Sequence, residues 1–243
     1  MPHCQISRAQ INRVSIFLAI MLKVSTGRGF TQDTARAYPI VTRTMMEYRQ
    51  QVLQVAGKKM VEISPYIPEL VYDLRYAGKK NFVKKRMYPR GTRSSYLRQD
   101  AIDRLKKAAA DFDSLGYSIK IFDAYRPFSV TVLFWEMIRD ERYVANPVKG
   151  SGHNRGIAVD LTLVDKLTGA ELPMGTGFDN FTDTAHHSFT DLPKDVLANR
   201  LMLKNVMERH GFRALETEWW HYYLPDAGRY ELLDLTFKQL QRQ

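Results

Sequence analysis

The sequence predicts an α+β domain, a largely antiparallel sheet flanked by helices, and three observations lead there. Residues 117–122 (YSIKIF) carry apolar side chains at every second position, the period of a strand with one buried face. Leu97, Ala101, Leu105, Ala108, Phe112 and Leu115 recur at intervals of three and four, the stripe of a helix packed on one side. Hairpin-like turn chemistry around Gly169 (LTGAEL) joins neighbouring segments directly, which favours such a sheet over a doubly wound parallel one.

The elements follow in order. The first helix is predicted over 96–115, with Gly116 as its stop. The strand at 117–122 then runs into DAYRPF and places Arg126 at a strand end. A second helix is expected over 130–142, a strand over 156–164, and a third helix over 194–210 with Gly211 after it. The last strand is FRALETEWWHYYL, 212–224. No repeat, low-complexity tract or Gly/Ser/Pro-rich linker divides the chain after about residue 60. Residues 60–243 are therefore expected as one domain, behind an N-terminal extension over 1–59 that is a signal or a disordered leader.

Composition narrows the function. A chain of 243 residues, 44% hydrophobic and 26% charged, can build a core without disulfides. The single cysteine, Cys4, excludes an intrachain disulfide and any CxxC-type site, so a metal must be held by His, Asp or Glu. The net charge of +10 is concentrated in residues 1–60, where nine Lys/Arg face two acids; this disfavours a nucleic-acid partner. A second basic run, 78–93, reads as a solvated loop. Neither G-x-G-x-x-G after a strand nor a P-loop is present, so nucleotide binding has no support. Residues 14–22 (VSIFLAIML), after Arg8 and Arg13, have the outline of an export signal. A bilayer-spanning helix takes about 20 apolar residues, so no stable membrane insertion is expected. Lys23 and the remote Ala35, Arg36 and Ala37 weaken the signal, leaving periplasmic export and cytoplasmic residence level.

Six histidines are available, and SGHNRGIAVD (151–160) brings one of them close to a carboxylate. His153 and Asp160 provide two donors of a His/His/carboxylate metal set, and Gly152 and Gly156 permit the turn between them. Alone, the pair reads equally as a turn histidine and a capping aspartate. EWWH (218–221) adds His221 as a third ligand and Glu218 as a base. Residues i and i+3 of a regular strand face opposite sides, so Trp219 and Trp220 must lie in a bulge or irregular turn if both act together. The competing reading is an aromatic core strand with a surface glutamate. HExxH is absent, which excludes the helical zincin site. The adjacent His186 and His187 read as loop or supporting residues, and His210 before Gly211 as a helix C-terminal cation.

AYRP (124–127), S-x-H-x-x-G-x-A-x-D (151–160), LTGAELPMGTGFD (167–179) and EWWH together resemble the zinc D-alanyl-D-alanine dipeptidases of the vancomycin-resistance type. The resemblance spans about residues 62–237, including IPELVYDLRYAGKKNF at 67–82. It implies the D,D-peptidase/hedgehog-like fold with the metal at strand ends, and a role in bacterial cell-wall metabolism or glycopeptide resistance. By the same resemblance His153, Asp160 and His221 hold one Zn2+ per chain, Glu218 is the base, and Arg126 stabilises the transition state. Asp179 receives the free amino group of the D-Ala-D-Ala dipeptide and Ser151 lies near its other end. Tyr76, in DLRYA, is read either as lining the pocket or as a buried aromatic. Some members carry a second serine where Gly152 stands, which puts recognition of the substrate carboxylate in question. The segment from Arg126 to His153 is shorter than in some members, so a different pocket rim is expected. Two other readings stand beside this one: another cell-wall zinc peptidase (a D,D-carboxypeptidase or L,D-endopeptidase), and a zinc-stabilised binding domain without hydrolysis.

Overall fold

The computed structural model describes residues 38–243. In chain order the elements are β1 (Val41–Thr42), α1 (Met45–Gln54), β2 (Met60–Glu62), β3 (Val71–Tyr72), β4 (Tyr96–Arg98), α2 (Gln99–Ser114), β5 (Tyr117–Asp123), α3 (Phe128–Ile138), α4 (Gly152–Arg155), β6 (Ala158–Asp165), α5 (Lys194–Arg209), β7 (Arg213–Leu215), β8 (Glu218–Tyr223), β9 (Leu232–Leu233) and α6 (Phe237–Gln241). The main sheet has the order β3-β5-β6-β8-β7, with only β3–β5 parallel. The expected α+β fold with a largely antiparallel sheet is the one observed. The LTGAEL turn closes through Asp165 N–H donating to Ala170 O at 2.9 Å.

The α2 stripe explains the core. Ala101, Ile102, Leu105, Ala108 and Phe112 are fully buried against the β5, β6 and β8 side chains Ile119, Ile121, Val159, Leu161 and Tyr222. Leu203, Val206 and Met207 of α5 join the same cluster. Each such leucine, isoleucine, valine, methionine or phenylalanine side chain contributes roughly 2 kcal/mol by leaving water, and each alanine less. The alternate residues of β6 and β8, including Asp160 and His221, face the opposite side of the sheet, where the site lies.

Several boundaries differ from the sequence expectation. Residues 96–98 form β4 rather than the start of the helix, because they pair with β2 and the Arg98 guanidinium donates to the carbonyls of Lys58, Arg155 and Glu231. The second helix runs over 128–138 instead of 130–142; Pro127 fixes its entry and Arg139, in the left-handed region at φ 51°, ends it. The expected last strand is a hairpin, β7 and β8, folded at Glu216 and Thr217. Part of the segment expected as an extension is folded into the domain. Thr44 and Glu47 form a capping box on α1, β1 pairs with β9, and the buried Tyr48 hydroxyl accepts from Met60 N–H at 2.6 Å. The export-like stretch 14–22 and Cys4 lie outside the described residues. Among the described residues no helix is long and apolar enough to cross a membrane.

Candidate active site

Strand register assembles the polar centre. Asp123 of β5 pairs with Asp160 of β6, and Asp160 pairs with His221 of β8, so three titratable side chains stand in one row across the sheet. Direct cross-strand partners have Cβ atoms about 5 Å apart, close enough to share one centre. His153 reaches the same point from α4. Ser151 Oγ accepts from Asn154 N–H at 3.2 Å and Asn154 Oδ1 accepts from Ser151 N–H at 3.1 Å, a capping box that fixes this one-turn helix. Gly156 then reverses the chain at φ 70°, a conformation costly for any residue with a Cβ. The expected turn is thus a capped helical turn.

The donor atoms converge. His153 Nδ1 donates to Ala124 O at 2.7 Å, which leaves Nε2 as the free lone pair. That Nε2 lies 3.3 Å from Asp160 Oδ2 and 3.2 Å from His221 Nδ1, and His221 Nδ1 lies 2.8 Å from Asp160 Oδ1. The three groups offer ligand atoms within 4.8 Å of one another, a set that can hold one metal ion. His186 and His187 are not part of it. His210 caps α5 and bonds Asp111 Oδ2 at 2.8 Å.

Glu218 stands beside this set, with Oε2 3.9 Å from His221 Nδ1. The i, i+3 pair meets because of a break in strand pairing: Ala214 opposes Tyr222 but the next residue, Leu215, opposes Glu218. Trp219 and Trp220 occupy the bulge, as the spacing demands. Trp219 Nε1 donates to Thr176 Oγ1 at 2.8 Å, while both rings are buried. Burial pushes the Glu218 carboxyl up to about 7, with the Asp160 charge adding to the rise and His221 opposing it.

Arg126 is 8% exposed and donates from Nε and Nη2 to Asp123 Oδ2 at 3.0 and 2.8 Å. Tyr88 OH donates to the other Asp123 oxygen at 2.5 Å. Burial works against the guanidinium charge, but Asp123 outweighs it and holds Arg126 as a cation. Its guanidinium carbon lies 5.1 and 5.0 Å from the ring centres of Tyr76 and Phe134.

Asp179 supplies a further carboxylate, half-buried as a residue. Its backbone is left-handed at φ 61°, which the short Asp side chain tolerates, and Tyr76 OH donates to Oδ1 at 3.0 Å. Oδ2 is buried with no partner. Burial pushes this carboxyl up to about 8, with the nearby Asp160 charge adding to the rise and the Tyr76 bond opposing it. Tyr76 answers both readings of its sequence: it is 2% exposed and lines the cavity.

All the expected site residues border one cavity of about 300 Å³. Ser151 is among them, with its Oγ used as an acceptor and its O–H free to donate. Gly152 has a packing reason: a Cβ there would stand 2.8 Å from the Ala158 Cβ, so a second serine does not fit without a shift. Sequence reasoning missed Asp123 and Tyr88 behind Arg126. The D-x-x-R spacing of DAYR signals the first; nothing in the sequence signals Tyr88, which arrives from a distant loop. It also missed the aromatic rim, Phe82, Phe134, Tyr143 and Phe181.

The family described as D-ala-D-ala dipeptidase, an M15 peptidase family, matches residues 56–243. The chain belongs to that family. Within this D-Ala-D-Ala dipeptidase family, the chain is similar to the D-alanyl-D-alanine dipeptidase of Escherichia coli (strain K12), at 36% identity over 72% of this chain and 89% of that one. The D-alanyl-D-alanine dipeptidase of Enterococcus faecium is 30% identical over 66% of this chain and 91% of its own. The match covers both halves of the dipeptidase cavity, from Tyr76 to His221.

Proposed function

We propose that the chain is a zinc-dependent dipeptidase that hydrolyses D-Ala-D-Ala to two D-alanines in bacterial cell-wall metabolism. The single observation that carries this reading is the pairing, in one small cavity, of a His153/Asp160/His221 donor set with the unpartnered, buried Oδ2 of Asp179. A metal set alone fits any hydrolase of this type. The second carboxylate selects for a free amino terminus beside the scissile bond.

The residues fit zinc by their chemistry. Two imidazole nitrogens and one carboxylate are the ligands of an open catalytic zinc site, and the Ala124 carbonyl fixes the His153 tautomer that such a site needs. Zinc held there supplies Lewis acidity, lowering the pKa of water to about 7 and polarising a carbonyl. Glu218, with its carboxyl raised to about 7, takes the proton of the attacking water and returns it to the departing amine. The Arg126 guanidinium, held by Asp123, meets the developing oxyanion, a contribution of about 3 kcal/mol for a well-placed donor. Asp179 pairs with the ammonium group of the substrate and Tyr76 orients that carboxylate. Ser151 offers its O–H to the other end of the peptide.

A purely structural zinc needs neither a half-buried glutamate at its side nor a buried arginine facing it. Release of D-alanine from D-Ala-D-Ala by the zinc-loaded protein tests the reading. Glu218→Ala is expected to keep one zinc per chain and lose most turnover. Cleavage of muropeptides or L-Ala-D-Glu peptides without cleavage of the dipeptide would instead assign another cell-wall peptidase.

A further inference from the structure

The cavity is closed on one side by two rings. Phe181 and Tyr143 lie with their ring centres 4.7 Å apart, and Phe181 also meets Phe82 at 5.2 Å. Beyond this pair lies a second cavity of about 110 Å³, bordered by Asn180, Thr182, Asp183 and His186. Arg142, Tyr143, Phe181, Thr217 and Glu218 border both cavities and so form the partition between them. The partition is held in place rather than loosely packed: Asn180 Oδ1 accepts from Thr182 N–H at 3.0 Å and from its hydroxyl at 2.5 Å, fixing the turn that carries Phe181.

Phe181 stands two residues past Asp179, the group that takes the substrate's amino terminus. Tyr76, which donates to Asp179, meets Phe82 with ring centres 6.1 Å apart, so contacts through Phe82 tie the wall to the Asp179 end of the cavity. We propose that Phe181 and Tyr143 determine substrate specificity by limiting the side chain of the first residue to about a methyl group. This inference rests on the dipeptidase reading. Its physical basis is steric: favourable contact with one methyl group discriminates weakly, whereas a rigid wall excludes larger side chains outright. Removing the Phe181 ring joins the two chambers, and a cavity of about 150 Å³ already accommodates a benzene ring.

The test compares kcat/KM for D-Ala-D-Ala, D-Phe-D-Ala and D-Ala-D-Phe in the wild type, Phe181→Ala, Tyr143→Ala and Phe181→Leu. The D-Phe-D-Ala to D-Ala-D-Ala ratio is expected to rise at least about tenfold in both alanine variants, and less in Phe181→Leu, with the D-Ala-D-Phe ratio unchanged. A ratio taken on one sample does not depend on the folded fraction, and the leucine variant preserves the test if alanine prevents folding. Unchanged ratios with an active wild type overturn the inference alone, as does a gain confined to D-Ala-D-Phe. A wild type inert toward D-Ala-D-Ala overturns the dipeptidase reading and this inference with it.

Discussion

Asp160, buried, and Asp179, half-buried, are carboxylates of the same cavity, yet their surroundings drive them in opposite directions. Burial raises both, but for Asp160 the attraction and hydrogen bonds of His153 and His221 outweigh it, and the carboxyl is held well below the usual range. Asp179 has one donor, Tyr76, and an oxygen without a partner, so burial prevails and it keeps its proton to about pH 8. The first is a finished charge cluster that suits a cation fixed in the protein. The second keeps an oxygen without a partner, which in the proposed reaction the substrate's ammonium group supplies. Nineteen residues apart in the sequence, the two carboxylates thus suit the two roles proposed for them, cofactor ligand and reader of the substrate's ammonium, by what lies around them rather than by residue type.

The largest way to break this contrast is to remove its fixed half. Asp160→Ala is expected to lose zinc and to lower turnover by more than about a thousandfold, checked by metal content and D-alanine release on the same sample. Asp123→Ala comes next. It leaves the zinc donors in place but removes the anchor of Arg126, so kcat is expected to fall by about a hundredfold or more with metal content unchanged.

Asp179→Asn attacks the other half and separates two effects. Folded Asp179 keeps its proton to about pH 8, whereas the unfolded chain loses it near 4. Between those values the folded state binds the extra proton, so this group's contribution to stability falls as pH rises. The variant is expected to melt at a higher temperature than wild type at pH 8, with a smaller difference at pH 5, while its KM for the dipeptide rises at least about tenfold. In wild type, KM should fall as the pH rises from 6 towards 8, because ammonium binding needs ionised Asp179; the variant should lose that slope. Tyr76→Phe has the smallest expected effect. Losing one hydrogen bond to Asp179 should raise KM about fivefold and leave kcat nearly unchanged, read from initial rates.

The parts of the site legible in the sequence are those with local spacing. SGHNRGIAVD announces a glycine-bounded turn running into a strand, and EWWH demands a bulge that the β7–β8 pairing contains. Periodicity marked α2 and β5 because each buries one face. It misread 96–98, where strand pairing with β2 overrides a stripe that fits a helix equally well. It placed residues 38–59 outside the domain because β1 has two residues and α1 only a weak apolar stripe; their place is set by β9 and Tyr96, remote in sequence. The Asp123–Tyr88 support and the Phe181–Tyr143 wall were illegible for the same reason. Each joins segments tens of residues apart, and neither partner has a spacing that points to the other.

The claim that Asp179 reads the free amino terminus is tested most directly by comparing D-Ala-D-Ala with N-acetyl-D-Ala-D-Ala on the zinc-loaded protein. Acetylation removes the one positive charge that completes Asp179 and leaves the scissile bond unchanged. With Asp179 in that role, kcat/KM falls by at least about a hundredfold for the acetylated peptide in wild type and by much less in Asp179→Asn. Equal rates on the two peptides in wild type would contradict it.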